Sequence, residues 1–245
     1  MRVLSAISLI LTLIVVVGVI VFFVIPKPIP VEWASQAIVD SATALRVGDF
    51  DEITSQDKMG CRQTVTQYEF DANGAQVWQS RIARSAEMVK TSEGFVLRNT
   101  TTEYDEAGKV LSEQVEYYYY VTKGGFGKYY RYTGGTETEI NGTEWQNAIT
   151  TALRGVYPVA ATGEFLFSEM AQNITSVSQI GIFVTGRCGS GDEVLDVTFD
   201  FMNRQLKSLT HTSITRADGV STLSVVTEYE MLFPNSIDLP TTEGE

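Results

Sequence analysis

The segment VTQYEFDANGAQVWQSRIARSAEMVKTSEGFVLRNTTTEYDEAGKV (residues 65–110) decides the fold, because turn signals alternate in it with runs typical of β-strands. Asp71-Ala72-Asn73-Gly74 and Asp105-Glu106-Ala107-Gly108 each end in glycine, and a further turn signal lies at 91–94. Glycine supplies the positive φ that tight hairpin turns need. The flanking runs are rich in valine, threonine, tyrosine and phenylalanine. The region from Cys61 to Tyr132 is therefore predicted to form antiparallel strands.

The first and third turns share a longer pattern. Glu69-Phe70-Asp71 with Gly74 matches Glu103-Tyr104-Asp105 with Gly108 at a spacing of 34 residues. Such a period is compatible with a repeat array, but a third copy is absent from the sequence. Two similar hairpins are the simpler interpretation, and we favour it.

Helical periodicity appears before and after this region. A helix is predicted over residues 32–47, with Gly48 ending it, and its apolar stripe consists of Trp33, Ala37, Ile38, Ala42 and Leu45. A second is predicted from Thr143, which has capping-box spacing to Gln146, to Gly155 and Pro158; its stripe consists of Trp145, Ala148, Ile149, Ala152 and Leu153. A short helix over 164–171 completes the set.

The C-terminal part returns to strand patterns. Strands are predicted over 177–184, 193–202, 205–216 and 222–233. The intervening turns are placed at Gly186–Gly191, near Asn203 and at Ala217-Asp218-Gly219.

The N-terminus contains an unbroken apolar run from Val3 to Ile25, which is long enough to span a bilayer of roughly 30 Å. Residues 1–27 are therefore predicted to be a signal-anchor transmembrane helix and 28–31 a proline-rich linker; cleavage near Ala34 or Ala37 is the alternative. Positive flanks stay cytoplasmic, so the domain at 32–240 is expected to be extracytoplasmic. Residues 241–245 form an acidic tail.

The charge balance excludes one class of partner. The chain carries 18 basic and 30 acidic residues. Without Arg2 and Lys27, 16 basic residues remain against 30 acidic ones, a net charge near −14. Phosphate backbones are bound mainly through lysine and arginine, so nucleic acid is not an expected partner.

The two cysteines, Cys61 and Cys188, lie far apart in the sequence. An oxidising compartment favours one disulfide between them, which closes a loop worth about 4–5 kcal/mol in the chain-entropy model. The alternative is two separate, inert thiols. Their spacing matches neither a CxxC redox motif nor a zinc site.

No catalytic or metal-binding motif is present, so a non-enzymatic protein without cofactor or metal is expected. The single histidine, His211, lies in an alternating strand on the face of Leu209 and Ser213. The acidic groups 49–52 and 192–196 lack the spacing of a calcium loop. Glycines at 124–127 and 186–191 fit neither a phosphate loop nor a dinucleotide fingerprint.

Seven of the eleven tyrosines lie on one predicted hairpin: Tyr117, Tyr118, Tyr119, Tyr120, Tyr129, Tyr130 and Tyr132. Strand alternation places Tyr117 and Tyr119 on one face and Tyr118 and Tyr120 on the other. Buried, these rings form a cross-strand aromatic ladder; exposed, they form a stacking surface. We favour the ladder.

The order of elements resembles the LolA/LppX-like group of extracytoplasmic lipoprotein carriers over roughly residues 32–240. It consists of an amphipathic helix, antiparallel strands, a central helical insertion around Trp145, then strands ending in Ile237-Asp238-Leu239-Pro240. In that group an unclosed, curved β-barrel is covered by helices, with an acyl chain or lipid between them. The resemblance implies that the helices at 32–47 and 143–153 are lid elements.

The predicted fold is α+β: an N-terminal transmembrane helix, then a curved antiparallel sheet covered by an N-terminal helix and a central helical insertion. The predicted function is a membrane-anchored, non-catalytic binding protein that holds a lipid-like ligand between sheet and helices. The alternative is a surface module that contacts an envelope protein or polymer through the tyrosine hairpin. The candidate ligand-binding residues are Trp33, Ile38, Trp145, Ile149, Leu153, Tyr118, Tyr120 and Tyr130.

Overall fold

A computed structural model describes residues 31–123 and 126–240. Its helices are α1 (Val31–Thr43), α2 (Phe50–Thr54), α3 (Gly142–Val156) and α4 (Ser168–Ala171). Its strands are β1 (Lys58–Phe70), β2 (Gln76–Thr91), β3 (Gly94–Tyr104), β4 (Val110–Lys123), β5 (Phe126–Thr133), β6 (Thr136–Ile140), β7 (Ile174–Ile180), β8 (Phe183–Ser190), β9 (Glu193–Asp200), β10 (Gln205–Ala217) and β11 (Val220–Leu232).

The hairpin turns form where the sequence places them. Asp71 Oδ1 accepts hydrogen bonds from the backbone N–H groups of Asn73 and Ala75, and Gly74 has a φ of +80°. Asp105 repeats this role in the β3–β4 turn, where its Oδ1 accepts the N–H of Lys109. The 34-residue similarity therefore reflects two hairpins with the same turn chemistry.

All eleven described strands belong to one antiparallel sheet in the order β6-β5-β4-β3-β2-β1-β11-β10-β9-β8-β7. Two meanders run outward from the central β1–β11 pair, which aligns Cys61 with Met231. β6 and β7 are the two ends of the strand order. This large antiparallel sheet is consistent with a lipid-carrier-like fold.

The helices pack on one face of the sheet. Met59 and Cys61 of β1 point toward that face, and Ile149 and Leu153 of α3 are buried against the same core. α1 covers the other half of the sheet, contacting β7, β8, β9 and β10. Alternation along each strand sends the intervening side chains to the helix-free face.

The predicted fold class is wrong. The described residues form a mostly antiparallel β fold with a few short helices, rather than an α+β fold. The predicted transmembrane helix, within residues 1–27, lies outside the described residues. In the ranges 31–123 and 126–240, no helix has the length and apolar character needed to cross a membrane.

One predicted turn is a strand. Gly186 lies inside β8, and the predicted strand over 177–184 spans the β7–β8 turn. The glycine serves packing here, because a Cβ at Gly186 would lie 2.5 Å from the Cδ1 of Ile38. A side chain at this position would force the buried Ile38 side chain to move.

The predicted disulfide is also wrong, since Cys61 and Cys188 are both free and buried. Cys61 lies on β1 and Cys188 on β8, which are four places apart in the strand order. Four spacings of about 4.8 Å put these strands roughly 19 Å apart along the sheet. A disulfide allows only about 4.4–6.8 Å between Cα atoms.

We expect both thiols to be unreactive in the folded protein. Burial raises the pKa of each thiol, that of Cys188 to about 11, so both stay protonated at pH 8. A colorimetric thiol assay should detect little reaction under native conditions and two thiols in concentrated guanidinium. The Cys188→Ser variant should show one reactive thiol in guanidinium. A mass about 2 Da below that of the reduced chain would contradict the assignment.

Candidate functional site

The structure places the predicted ligand-binding residues of the helix side in a filled core. Ile38, Ile149 and Leu153 are 0% exposed, and Trp145 is 5% exposed. They pack against strand side chains such as Leu195 on the same face. Trp33 lies in α1, and its side chain is outside the described part of the structure.

The tyrosine hairpin forms the predicted ladder on both faces. Tyr119 and Tyr130 stack on the helix-free face with ring centroids 5.7 Å apart. Tyr120 and Tyr129 pair on the helix side at 5.0 Å, and Tyr129 lies 5.0 Å from Trp145.

Glycine and a hydrogen bond fix this ladder in place. The Tyr120 ring crosses Gly127 so closely that a Cβ there would overlap its hydroxyl. On the other face, the Tyr119 hydroxyl donates to Glu137 at 2.8 Å, and burial raises the pKa of Tyr119. Tyr118 is half-buried on the helix side, next to Glu116 and Arg131. The predicted ligand-binding tyrosines, Tyr118, Tyr120 and Tyr130, therefore do not form an open stacking surface.

An apolar groove lies between α1 and the β9–β10 turn, with a volume of about 490 Å³. Aromatic and alanine side chains form its apolar wall, and polar side chains form its rim. Its lining consists of Gln36, Ala37, Asp40, Ser41, Ala44, Phe199, Phe201 and Arg204. This volume lies within the usual range of small-molecule sites.

Asp200 holds the turn that forms one side of this groove. Its Oδ1 accepts the N–H groups of Met202 and Asn203, and its Oδ2 accepts the side-chain amide of Asn203. These hydrogen bonds from Asn203 hold the pKa of Asp200 below its usual value. Arg204 follows with a φ of +51°, in the left-handed region that few non-glycine residues adopt. The groove wall is therefore a fixed turn.

Exposed apolar side chains continue beside the groove. The N–H of Phe201 donates to the carbonyl of Ile182, which joins the β9–β10 turn to the β7–β8 turn. Ile180 and Phe183 from one turn and Phe201 and Met202 from the other are 37–75% exposed. Clustered exposed apolar residues of this kind mark binding or interaction surfaces.

His211 has a packing role. Its ring lies 4.6 Å from that of Phe167, and its Nε2 lies 3.1 Å from Glu193 Oε1. Within residues 31–123 and 126–240, no hydroxyl or thiol is hydrogen-bonded to it. As predicted, it shares the face of Leu209.

Acidic side chains of the groups at 49–52 and 192–196 bind arginines or backbone N–H groups. Asp192 binds Arg216 through two hydrogen bonds of 2.7 Å, and Asp196 binds Arg187 in the same way. Asp49 accepts the N–H of Glu52 as the N-cap of α2. No cluster of three or more metal-ligating side chains occurs in the described ranges.

Sequence reasoning missed the groove because its two sides are distant in the chain. In the sequence, Phe199 and Phe201 have the pattern of ordinary strand residues. Only the β9–β10 turn places Phe201 beside α1. The one available signal was Phe201-Met202, an apolar pair next to the turn residue Asn203.

No family model matches this sequence, and no curated protein matches it. Among solved structures, the chain is similar to a porin-like protein from Bacteroides uniformis ATCC 8492, with 8% of residues identical. The similarity covers 73% of this chain and 97% of that chain, with a TM-score of 0.19.

Proposed function

We propose that this protein is a non-catalytic binding protein that holds the apolar chain of an amphipathic ligand between α1 and the sheet. The supporting observation is the apolar groove beside Phe199 and Phe201. An extracytoplasmic location at a membrane surface and membership of the LolA/LppX-like group are parts of the same proposal.

The chemistry of the groove matches an amphipathic ligand. Burying a methylene group contributes about 0.8 kcal/mol, so a chain of eight carbons gains roughly 6 kcal/mol before the cost of ordering it. Arg204 lies at the rim, where its guanidinium is suited to an anionic head group. We therefore favour single-chain amphiphiles with a carboxylate or phosphate head.

The proposal places the ligand at the side of the helix–sheet interface. Ile38 and Ile149 fill the centre of that interface, so the predicted central site has no room without displacing α1 or α3. At Ala37, beside this interface, the described surface already forms an open groove. The alternative surface module is not favoured, because Tyr130 is 8% exposed and Tyr118 is half-buried.

Calorimetric titration of the full chain with dodecanoate tests the proposal. Ala44 is exposed and lines the groove, so Ala44→Trp fills the space without disturbing the core. We expect saturable binding by the wild type and at least tenfold weaker binding by Ala44→Trp. The matched control Ala72→Trp, in the exposed β1–β2 turn, should bind like the wild type.

Two outcomes would overturn the proposal. One is the absence of saturable binding of dodecanoate or of a lysophospholipid to the wild type. The other is equal affinity of the wild type and Ala44→Trp, with both proteins shown to be folded by circular dichroism. Either result would leave the groove without a ligand of the proposed class.

A further inference from the structure

The helix-free face of the sheet carries two rows of side chains that run across the strands, and threonine or serine occupies half of the twelve positions. Strand register places one side chain from each of six strands side by side in each row. The first row is Glu113, Thr102, Ala83, Thr64, Glu228 and Thr210. The second row is Val115, Thr100, Ser85, Arg62, Glu230 and Ser208.

These rows form the floor of a trough of about 800 Å³. Thr64, Ser85 and Thr102 are only 7–8% exposed, although the helices contacting this sheet pack on the other face. Longer side chains on neighbouring positions therefore rise above them and enclose the floor. In the part of the chain that the structure describes, no hydrogen-bond partner is found for these three hydroxyl groups. The hydroxyls are available to a ligand.

Fixed polar and aromatic groups form the walls. Arg98 is paired with Glu87 at 2.9 Å at one end, next to Tyr117. At the other end, the guanidinium of Arg81 lies 5.3 Å from the ring centroid of Tyr104. These contacts place planar side-chain groups at the borders of the trough.

The C-terminal segment lies against the same face. Lys58 Nζ donates to Asn235 Oδ1 at 2.8 Å, and Ile237 packs on the cluster of Val96, Tyr119 and Tyr130. This segment follows β11 directly and reaches β3, β4 and β5. It therefore closes off one end of the face beyond Arg98.

The charges in the trough nearly balance, whereas the chain as a whole has a net charge of −12. The lining contains five basic side chains (Arg62, Arg81, Arg84, Arg98 and Lys207) and four acidic ones (Glu87, Glu113, Glu228 and Glu230), a net charge of +1. A ligand of either net charge would meet nearly as many like charges as opposite ones. The lining is therefore suited to a neutral ligand.

We infer that this trough binds a neutral oligosaccharide chain. Each threonine or serine hydroxyl both donates and accepts hydrogen bonds, as sugar hydroxyls do. Carboxylates and guanidinium groups at the walls accept from and donate to neighbouring hydroxyls of the same ring. Tyr104 and Tyr117 supply aromatic faces for the apolar side of a sugar ring.

A peptide fits this surface less well. Extended peptides bind sheets at free edges, where backbone groups pair, and the edge strands β6 and β7 lie outside the trough. Specific peptide binding also needs pockets for apolar side chains, and hydroxyl-bearing and charged side chains make up most of the trough floor. The oligosaccharide site lies on the opposite face from the groove at Phe199, so the two proposals are independent.

The test is binding of the full chain to neutral hexasaccharides of glucose, mannose and N-acetylglucosamine, measured by calorimetry. Ala83 lies on the trough floor, and Ala83→Trp should fill it. We expect the wild type to bind at least one hexasaccharide and Ala83→Trp to bind it at least tenfold more weakly. Ala72→Trp is again the matched control.

A second variant guards against misfolding of the first. Thr100 is half-buried in the trough, so Thr100→Trp should also reduce saccharide affinity at least tenfold. Both variants should give the circular dichroism spectrum of the wild type, which shows that the fold is intact.

Three results would overturn the inference. The first is no binding to any neutral hexasaccharide. The second is unchanged affinity in the two tryptophan variants. The third is tighter binding of a sulfated hexasaccharide or a lysine-rich hexapeptide than of the neutral chains.

Discussion

Replacing Trp145 with alanine is expected to lower the free energy of unfolding by about 3–5 kcal/mol. The side chain is 5% exposed, with the rings of Phe50 and Tyr129 5.5 and 5.0 Å away. Its removal leaves a cavity between α3 and the tyrosine ladder. The indole Nε1 has no hydrogen-bond partner among the described residues, so the loss comes from packing alone.

Urea unfolding followed by circular dichroism measures this change, and Trp145→Phe is the matched control. Phenylalanine keeps an aromatic ring against Tyr129 and removes a buried N–H without a partner, so we expect a loss of about 1–2 kcal/mol. If Trp145→Ala kept the stability of the wild type but lost ligand binding, Trp145 would not be a core residue. That result would support the ligand-binding role predicted from the sequence.

Local signals explain why much of the fold was predictable. The turns at Asp71 and Asp105 are fixed by residues within five positions of each other, and these turns formed as predicted. The helix around Ile149 was found from its periodicity, although its N-cap is Asn141 rather than Thr143. The alternation of the tyrosines gave the correct division between the two faces.

Features that depend on distant strands were not predictable. The sequence gives no distance between β1 and β8, so it favoured a disulfide that the sheet order forbids. Gly186 looks like a turn residue until Ile38 is placed above it. The polar rows depend on the pairing of β1 with β11, whose residues lie more than 150 positions apart. Local propensity carries no information about such pairings.

The balance of helix and sheet was misjudged for a related reason. Apolar stripes on α1 and α3 indicated correctly that helices cover the sheet, but not how small their share is. The predicted helix over 164–171 shortens to α4, a single turn, because Phe165 and Phe167 enter the core from irregular backbone. An extended chain can bury alternate residues without forming a strand or helix.

Arg154 is a further feature that sequence reasoning did not identify, and it connects three segments. Its Nε donates to the carbonyl of Val47 at 3.1 Å and its Nη2 to that of Gly48 at 2.6 Å. Its Nη1 donates to Ala161 at 3.4 Å. The Val47 N–H in turn donates to Gly163, so the guanidinium ties α3 to the loops on both sides of it.

Arg154→Met is therefore expected to lower the free energy of unfolding by about 3 kcal/mol, because hydrogen bonds to charged groups contribute about 1.5–3 kcal/mol each. The methionine keeps most of the side-chain volume, but the partly buried carbonyls of Val47 and Gly48 lose their donors. Arg154→Lys should lose less unfolding free energy, since one ammonium group can donate to one of these carbonyls.

Arg46→Met is the control. Its pair with Glu52 is solvent-exposed, so we expect the free energy of unfolding to fall by less than about 1 kcal/mol in the same denaturation experiment. Equal stability of Arg154→Met and Arg46→Met would mean that the loops around Val47 are held by packing rather than by the guanidinium.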